Sequence, residues 1–225
     1  LMSAALAGVA AVFGLRTPVG TRTTHRPSSL LHPAALRPGL VMMLGLMPNV
    51  AFSAFLALYA KSLGINGVGA VFAVFAGAVL TIRIVGARLP DQLGWRRATA
   101  VALTAGTTSA LVLALWAAEP ALYVGALILA LSQSLLFPAL FSAVVNDARD
   151  EERSHAVGTF SLFFDLASGI GAPLLGLVVA LSSNRGAYVT AAALAAFGFL
   201  AQRQLRRSHD ARGVREQSGA APTAH

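Results

Sequence analysis

The sequence predicts an all-α membrane protein, a six-helix transmembrane bundle preceded by a partial transmembrane helix. Three observations carry that expectation. Hydrophobic residues make up 56% of the 225 residues and charged residues 12%, with a mean hydropathy of +0.69, a membrane rather than a soluble composition. Apolar runs near bilayer length recur along the chain. The basic residues collect in alternate gaps between those runs, as the positive-inside rule requires of a multi-pass protein. Strands have no place here, because open sheet edges cannot be satisfied in lipid.

Residues 1–15 are apolar, but at about 1.5 Å each they reach only ~22 Å, short of a ~30 Å hydrocarbon core. No basic segment precedes them and no small-residue cleavage site follows, so a signal peptide fits poorly. They are read as the end of a helix whose beginning is missing. Residues 16–38 hold Pro18, Pro27, Pro33 and Pro38 with Arg16, Arg22, Arg26 and Arg37 and no acid, the composition of a flexible, basic, cytoplasmic linker. The six-helix body is expected over 39–202, with spans at about 39–63, 68–89, 98–118, 121–145, 156–181 and a short one at 186–201. Residues 203–225 are polar and basic, and are expected to form a disordered cytoplasmic tail.

The loops fix the orientation. Arg16, Arg22, Arg26 and Arg37, then Arg88, Arg96 and Arg97, then Arg149 and Arg153, then five arginines after residue 202 place fourteen basic residues on one side, against Lys61 and Arg185 on the other. The richer side is cytoplasmic. Tyr59, Trp116, Tyr123 and Tyr188 fall near the outer ends of spans, where amphipathic rings favour the interface. The first and last three spans run in opposite senses, which is the topology of an inverted repeat. The net charge of +8 belongs to these loops, so no nucleic-acid partner is expected. Sixteen of the seventeen basic residues are arginine, which with the abundant alanine fits a GC-rich bacterial genome and an inner-membrane location.

Between the second and third spans runs Gly86-Ala87-Arg88-Leu89-Pro90-Asp91-Gln92-Leu93-Gly94-Trp95-Arg96-Arg97. Gly86 permits close helix approach, Gly94 permits a tight turn, Asp91 can pair with arginine or a helix N-terminus, and Arg96 and Arg97 suit a cytoplasmic membrane surface. An ordinary solvated loop is the plainer reading. Gly86, Leu89, Asp91, Gly94, Arg96 and Arg97 resemble the gating-loop signature of the major facilitator superfamily, with Pro90 in place of a small residue. The resemblance covers nearly the whole chain and corresponds to the C-terminal half of a twelve-helix transporter with its middle linker. It implies alternating-access secondary transport of a small solute, proton-coupled, with efflux favoured. A truncated or dimerising half-transporter, acting as a membrane-embedded interaction or structural protein, is the alternative. The expected partners are a small-molecule substrate, protons, the lipid bilayer, and either a missing N-terminal six-helix half or a second copy.

Asp165 lies about 14 Å into its span, near the midplane. A carboxylate there is costly unless it faces a cavity or a partner. It either exchanges a proton or pairs with a cation during transport, or it is held by hydrogen bonds between helices. Gly158, Ser161, Ser168, Gly169, Ala172 and Gly176 share its side, expected to face protein or water, while Phe160, Phe163, Ile170, Leu174 and Val178 are expected to face lipid. Arg83 is the second intramembrane charge, a coupling residue or one that snorkels to the cytoplasmic surface. Asn49 after Pro48, and Ser132, Gln133 and Ser134 ahead of Pro138, place hydrogen-bonding groups beside helix breakers. With Ser161 and Ser168 they are the cavity-lining candidates that the resemblance implies, and interhelical hydrogen bonding is their other role. Gly171-Ala172-Pro173-Leu174-Leu175-Gly176 is similar to a degenerate antiporter motif and equally suits close packing. Asp147 to Arg153 resembles a second family loop and equally suits solvated charge.

No cysteine is present, so disulfides and thiolate metal sites are excluded. His25, His32, His155, His209 and His225 lie in loops or tails, with no pair at ligand spacing on a span and none for a Ser-His hydrolase. Neither an enzyme nor a cofactor is expected.

Overall fold

The computed structural model describes residues 31–65, 67–86 and 89–219. The partial helix expected at 1–15 and most of the linker lie outside them. Seven helices follow in order: α1 (Pro33–Gly45), α2 (Met47–Ser62), α3 (Gly69–Val85), α4 (Leu89–Leu115), α5 (Glu119–Asp147), α6 (Arg153–Leu181) and α7 (Asn184–Gly219). No strand occurs among the described residues.

The first expected span is two helices in series. Pro48 stands in the first turn of α2 and brings no N–H to the backbone ladder, so the helix breaks at Leu46. Together α1 and α2 cover 30 residues, Pro33–Ser62, with the length and apolarity to cross a membrane, as do Leu93–Leu115, Glu119–Asp147 and Arg153–Leu181. The 17 residues of α3 are fewer. In α7 the apolar stretch is short, as its sequence indicates.

Two boundaries differ from the sequence expectation. Helix α1 begins at Pro33, six residues inside the stretch read as linker, because His32 caps it and Pro33 occupies its first position, where a missing N–H costs nothing. Helix α7 runs on to Gly219, past the Arg203 at which disorder was expected. The sequence from Gln202 to Gln217 is rich in Arg and Gln and has no proline, so helical propensity is sufficient there.

Gly86 and Gly94 mark the end of α3 and a kink in α4. Gly86 ends α3, its N–H donating to the Ile82 carbonyl at 2.7 Å. Gly94 (φ +70°, ψ 152°) interrupts α4 one turn after it starts, a left-handed-side conformation that disfavours any side chain. The Gln202 amide of α7 donates to the Arg96 carbonyl at 2.8 Å, tying the hinge to the last helix.

Helix α4 packs on α5 and α7, and α6 packs on α1, α2, α5 and α7, whereas α3 packs mainly on α5, with Phe72 and Phe75 set against Phe52 of α2. Consequently Val71 is the one fully buried residue of α3. The core contains Phe52, Leu103, Leu129, Leu136, Phe160 and Tyr188. Two expectations are corrected here. Tyr59 and Tyr188 are 1% and 0% exposed, so they pack inside the bundle with ring centroids 5.2 Å apart instead of anchoring at the lipid interface. Phe160 is fully buried and Phe163 lies directly over Gly39 of α1, so the side of α6 assigned to lipid includes residues that face the bundle.

Candidate functional site

Helix α5 is the floor of the site. Gln133 stands halfway along it, 14 residues from each end, so its depth is near the middle of the membrane. Beside it lies an open groove of about 360 Å³, lined on the α2 side by Asn49, Val50 and Ser53 and on the α6 side by Phe164, Ser168 and Ala172. The break at Leu46 positions the α2 wall: Leu46 lines the groove and Asn49 follows within the first turn after it. On the α6 wall, Gly171 lets the helix approach α2, since a Cβ there would stand 3.0 Å from the Met47 Cε and 3.3 Å from Val50 Cγ1. The glycine-proline stretch of α6 therefore serves close packing.

The polar lining is neutral. Asn49, Ser53, Gln133 and Ser168 offer amides and hydroxyls that can donate to or accept from a solute but cannot neutralise a charge. The Gln133 Nε2 is buried and has no hydrogen-bond partner in the protein, leaving a donor that a ligand acceptor would satisfy. Ser168 also donates to the Phe164 carbonyl at 3.0 Å.

Of the sequence candidates, Asn49, Gln133 and Ser168 meet in this groove. Ser132 does not: it is 1% exposed and turned toward α4, its Oγ 3.0 Å from where a Cβ on Gly106 would stand. Ser134 is buried on another side of α5, donates to the Ala130 carbonyl at 2.8 Å, and lines a second recess of about 320 Å³ with Arg83, Phe137 and Pro138. Arg83 is exposed in the last turn of α3, where its charge complements the helix dipole. Asp165 and Ser161 are exposed on α6 outside the groove lining. Asp165 is one turn from Ser168, about 4.5 Å along the axis. Arg83 and Asp165 do not pair with each other. Of the hinge residues, Gly86 ends α3, whereas Leu89, Asp91, Gly94, Arg96 and Arg97, expected in a loop, belong to the first turns of α4 on either side of its kink at Gly94; Arg96 stacks on the Trp95 ring at 5.3 Å.

Sequence reading missed Ser53, Phe164 and Phe137. Ser53 follows Asn49 by four residues, a helical spacing that puts both on one face. The phenylalanines carried no such signal, because their place depends on which helices meet.

At the start of α1 His32 is 9% exposed and closes α1 onto α6. Its Nδ1 accepts from the Ala34 N–H at 3.3 Å, its Nε2 contacts Glu152 Oε2 at 3.3 Å, and its N–H donates to Thr159 Oγ1 at 3.0 Å. Arg153 pairs with Asp150 at 2.9 Å in the adjoining loop. Among the described residues no cluster of three metal-ligating side chains occurs.

The model of the Major Facilitator Superfamily matches residues 39–223. The chain belongs to this superfamily. An uncharacterised transporter of the superfamily from Salmonella typhimurium is 31% identical over 199 residues, covering 88% of this chain and 51% of the relative. Another, from Pseudomonas aeruginosa, is 33% identical over 166 residues, covering 72% and 40%. The uncharacterised YhhS of Escherichia coli is 23% identical over 173 residues, covering 75% and 42%. The chain thus spans about half the length of the curated relatives it matches. It is a multi-pass membrane protein of a transporter family, and small-molecule substrates are what such transporters handle.

Proposed function

We propose that this chain forms one half of a translocation pathway in a bacterial inner membrane, moving a small solute by alternating access coupled to protons, in the direction of export. The observation that carries the reading is the mid-depth groove, where Asn49, Ser53, Gln133 and Ser168 converge beside the break in the first span. Irregular helices with polar groups at the midplane are where transporters of this kind bind solutes. Asp165, one turn from the groove, is the proton-exchanging group, and Arg83 is its counterpart on the opposite flank of α5. The linker and tail lie in the cytoplasm. The facing wall of the pathway comes from a second six-helix half or a second copy of this chain.

The test is solute-driven proton flux in proteoliposomes holding the full protein, screened over small solutes with an internal pH dye. At least one solute should collapse an imposed pH gradient in proportion to its concentration. Asp165→Asn should retain solute binding and lose the proton flux. Equal proton flux in Asp165→Asn refutes the assigned role. Failure of every solute to move would favour the alternative, a membrane-embedded interaction or structural protein.

A further inference from the structure

We infer that this half binds an amphipathic organic anion, with Arg83 taking the acidic group and the Phe137–Phe164 pair taking the apolar body. The inference rests on the groove being the solute pathway and adds the chemical class of the solute.

Among the described residues the concave surfaces include the neutral groove at mid-depth, the recess of about 320 Å³ that holds Arg83, and a recess of about 440 Å³ toward the outer end that holds Arg185 with Ser62, Ser183 and Asn184. Both charged side chains that line them are cations, and no carboxylate lines any of the three. Neither arginine makes an ion pair with a described residue. A guanidinium that lines a recess without an ion-pair partner can donate a charge-assisted hydrogen bond to an anionic ligand. Asp165 is the carboxylate on α6 that a cationic solute would seek, and it lies outside these linings.

The groove and the Arg83 recess are adjacent. Gln133 and Phe137 are four residues apart on α5, so they share a face about 6 Å apart along it. Phe164 lines the groove, Phe137 lines the recess, and their rings meet edge to face at 5.9 Å between centroids. Phe137 is 39% and Phe164 36% exposed, leaving aromatic surface available between the amides and the guanidinium. A ligand lying across this ridge would place an acceptor at the unpartnered Gln133 Nε2, an apolar body on the rings, and a carboxylate or phosphate at Arg83. A free organic acid and an anionic lipid headgroup with its chain share that chemistry.

The experiment is binding of three probes of one shape to the full chain in phosphatidylcholine nanodiscs: 2-naphthoate, 2-naphthalenemethanol and 2-naphthylmethylamine, by isothermal titration. The naphthoate should bind at least about 10-fold tighter than the alcohol, the scale of one charge-assisted hydrogen bond. Arg83→Gln should remove that preference and leave the alcohol unchanged, Arg83→Lys should keep part of it, and Phe137→Ala should weaken all three probes alike. No binding of naphthoate, equal affinity of the three probes, preference for the amine, or a preference that survives Arg83→Gln would each overturn the inference. Native mass spectrometry separates the two sources of the anion. Phosphatidylglycerol retained by the protein, displaced by naphthoate and lost in Arg83→Gln identifies a lipid; naphthoate preference without retained lipid identifies a free acid. Naphthoate binding without flux of any solute would fail the transport reading and leave the anion site standing.

Discussion

Tyr59 and Tyr188 should respond to the same substitution with opposite signs. Their rings are in contact, both are nearly fully buried, and each loses one hydroxyl on replacement by phenylalanine. The Tyr59 hydroxyl donates to the Leu113 carbonyl at 2.6 Å. That carbonyl is in the last turn of α4, which ends at Leu115, so it is one of the orphan acceptors that every helix C-terminus leaves. Removing its donor forfeits a net hydrogen bond of about 1 kcal/mol and strands a buried acceptor, for a total loss of about 1–3 kcal/mol. The Tyr188 hydroxyl is buried with no partner in the protein. Its removal takes away an unsatisfied polar atom at almost no cost in volume, so Tyr188→Phe should be neutral or stabilising, by up to about 1–3 kcal/mol. Reversible unfolding in mixed micelles, followed by tryptophan fluorescence, reads both changes. Destabilisation of similar size in the two variants would refute the reasoning, because it would mean that both hydroxyls are bonded.

Gly45→Ala should destabilise, since its Cβ would stand 2.6 Å from Leu103 Cδ2 and 3.1 Å from Leu136 Cδ2; overpacking of about 1–3 kcal/mol exceeds the helix-propensity gain of about 1 kcal/mol. Gly77→Ala, with nothing within 4 Å, should keep only the gain, and the same unfolding assay compares the two. His32→Ala should remove the α1 cap and the Glu152 contact, costing about 0.5–2 kcal/mol, and should raise amide exchange over residues 34–37 without altering α5. Gln133→Leu should weaken binding of any solute that hydrogen-bonds in the groove about 10-fold, the loss of roughly one hydrogen bond, with the melting temperature unchanged or raised because a buried donor without a partner is removed.

What the sequence by itself determined was periodic and local. Apolar runs of bilayer length located the helices, and the hinge glycines located the break between α3 and α4, because hydropathy and backbone freedom depend on residues close in the chain. The composition placed the first break as well: Pro48 next to Asn49 marked irregular backbone near mid-depth. Tertiary structure alone decided which way each helix turns. The smaller side of α6, with Asp165 and Ser161, was expected inward, yet Ala156, Thr159, Phe160, Ala167, Gly171 and Leu175 are the residues buried there. In water an apolar stripe would have settled that question; in lipid, tails and core are equally apolar, and a phenylalanine fits either. For the same reason the triplet Ser132-Gln133-Ser134 could not be sorted from sequence. Successive residues on a helix point about 100° apart, so one serine went to Gly106, one to the Arg83 recess, and Gln133 to the groove. Which of the three would meet a solute depended on where α2, α3 and α6 came to rest around α5.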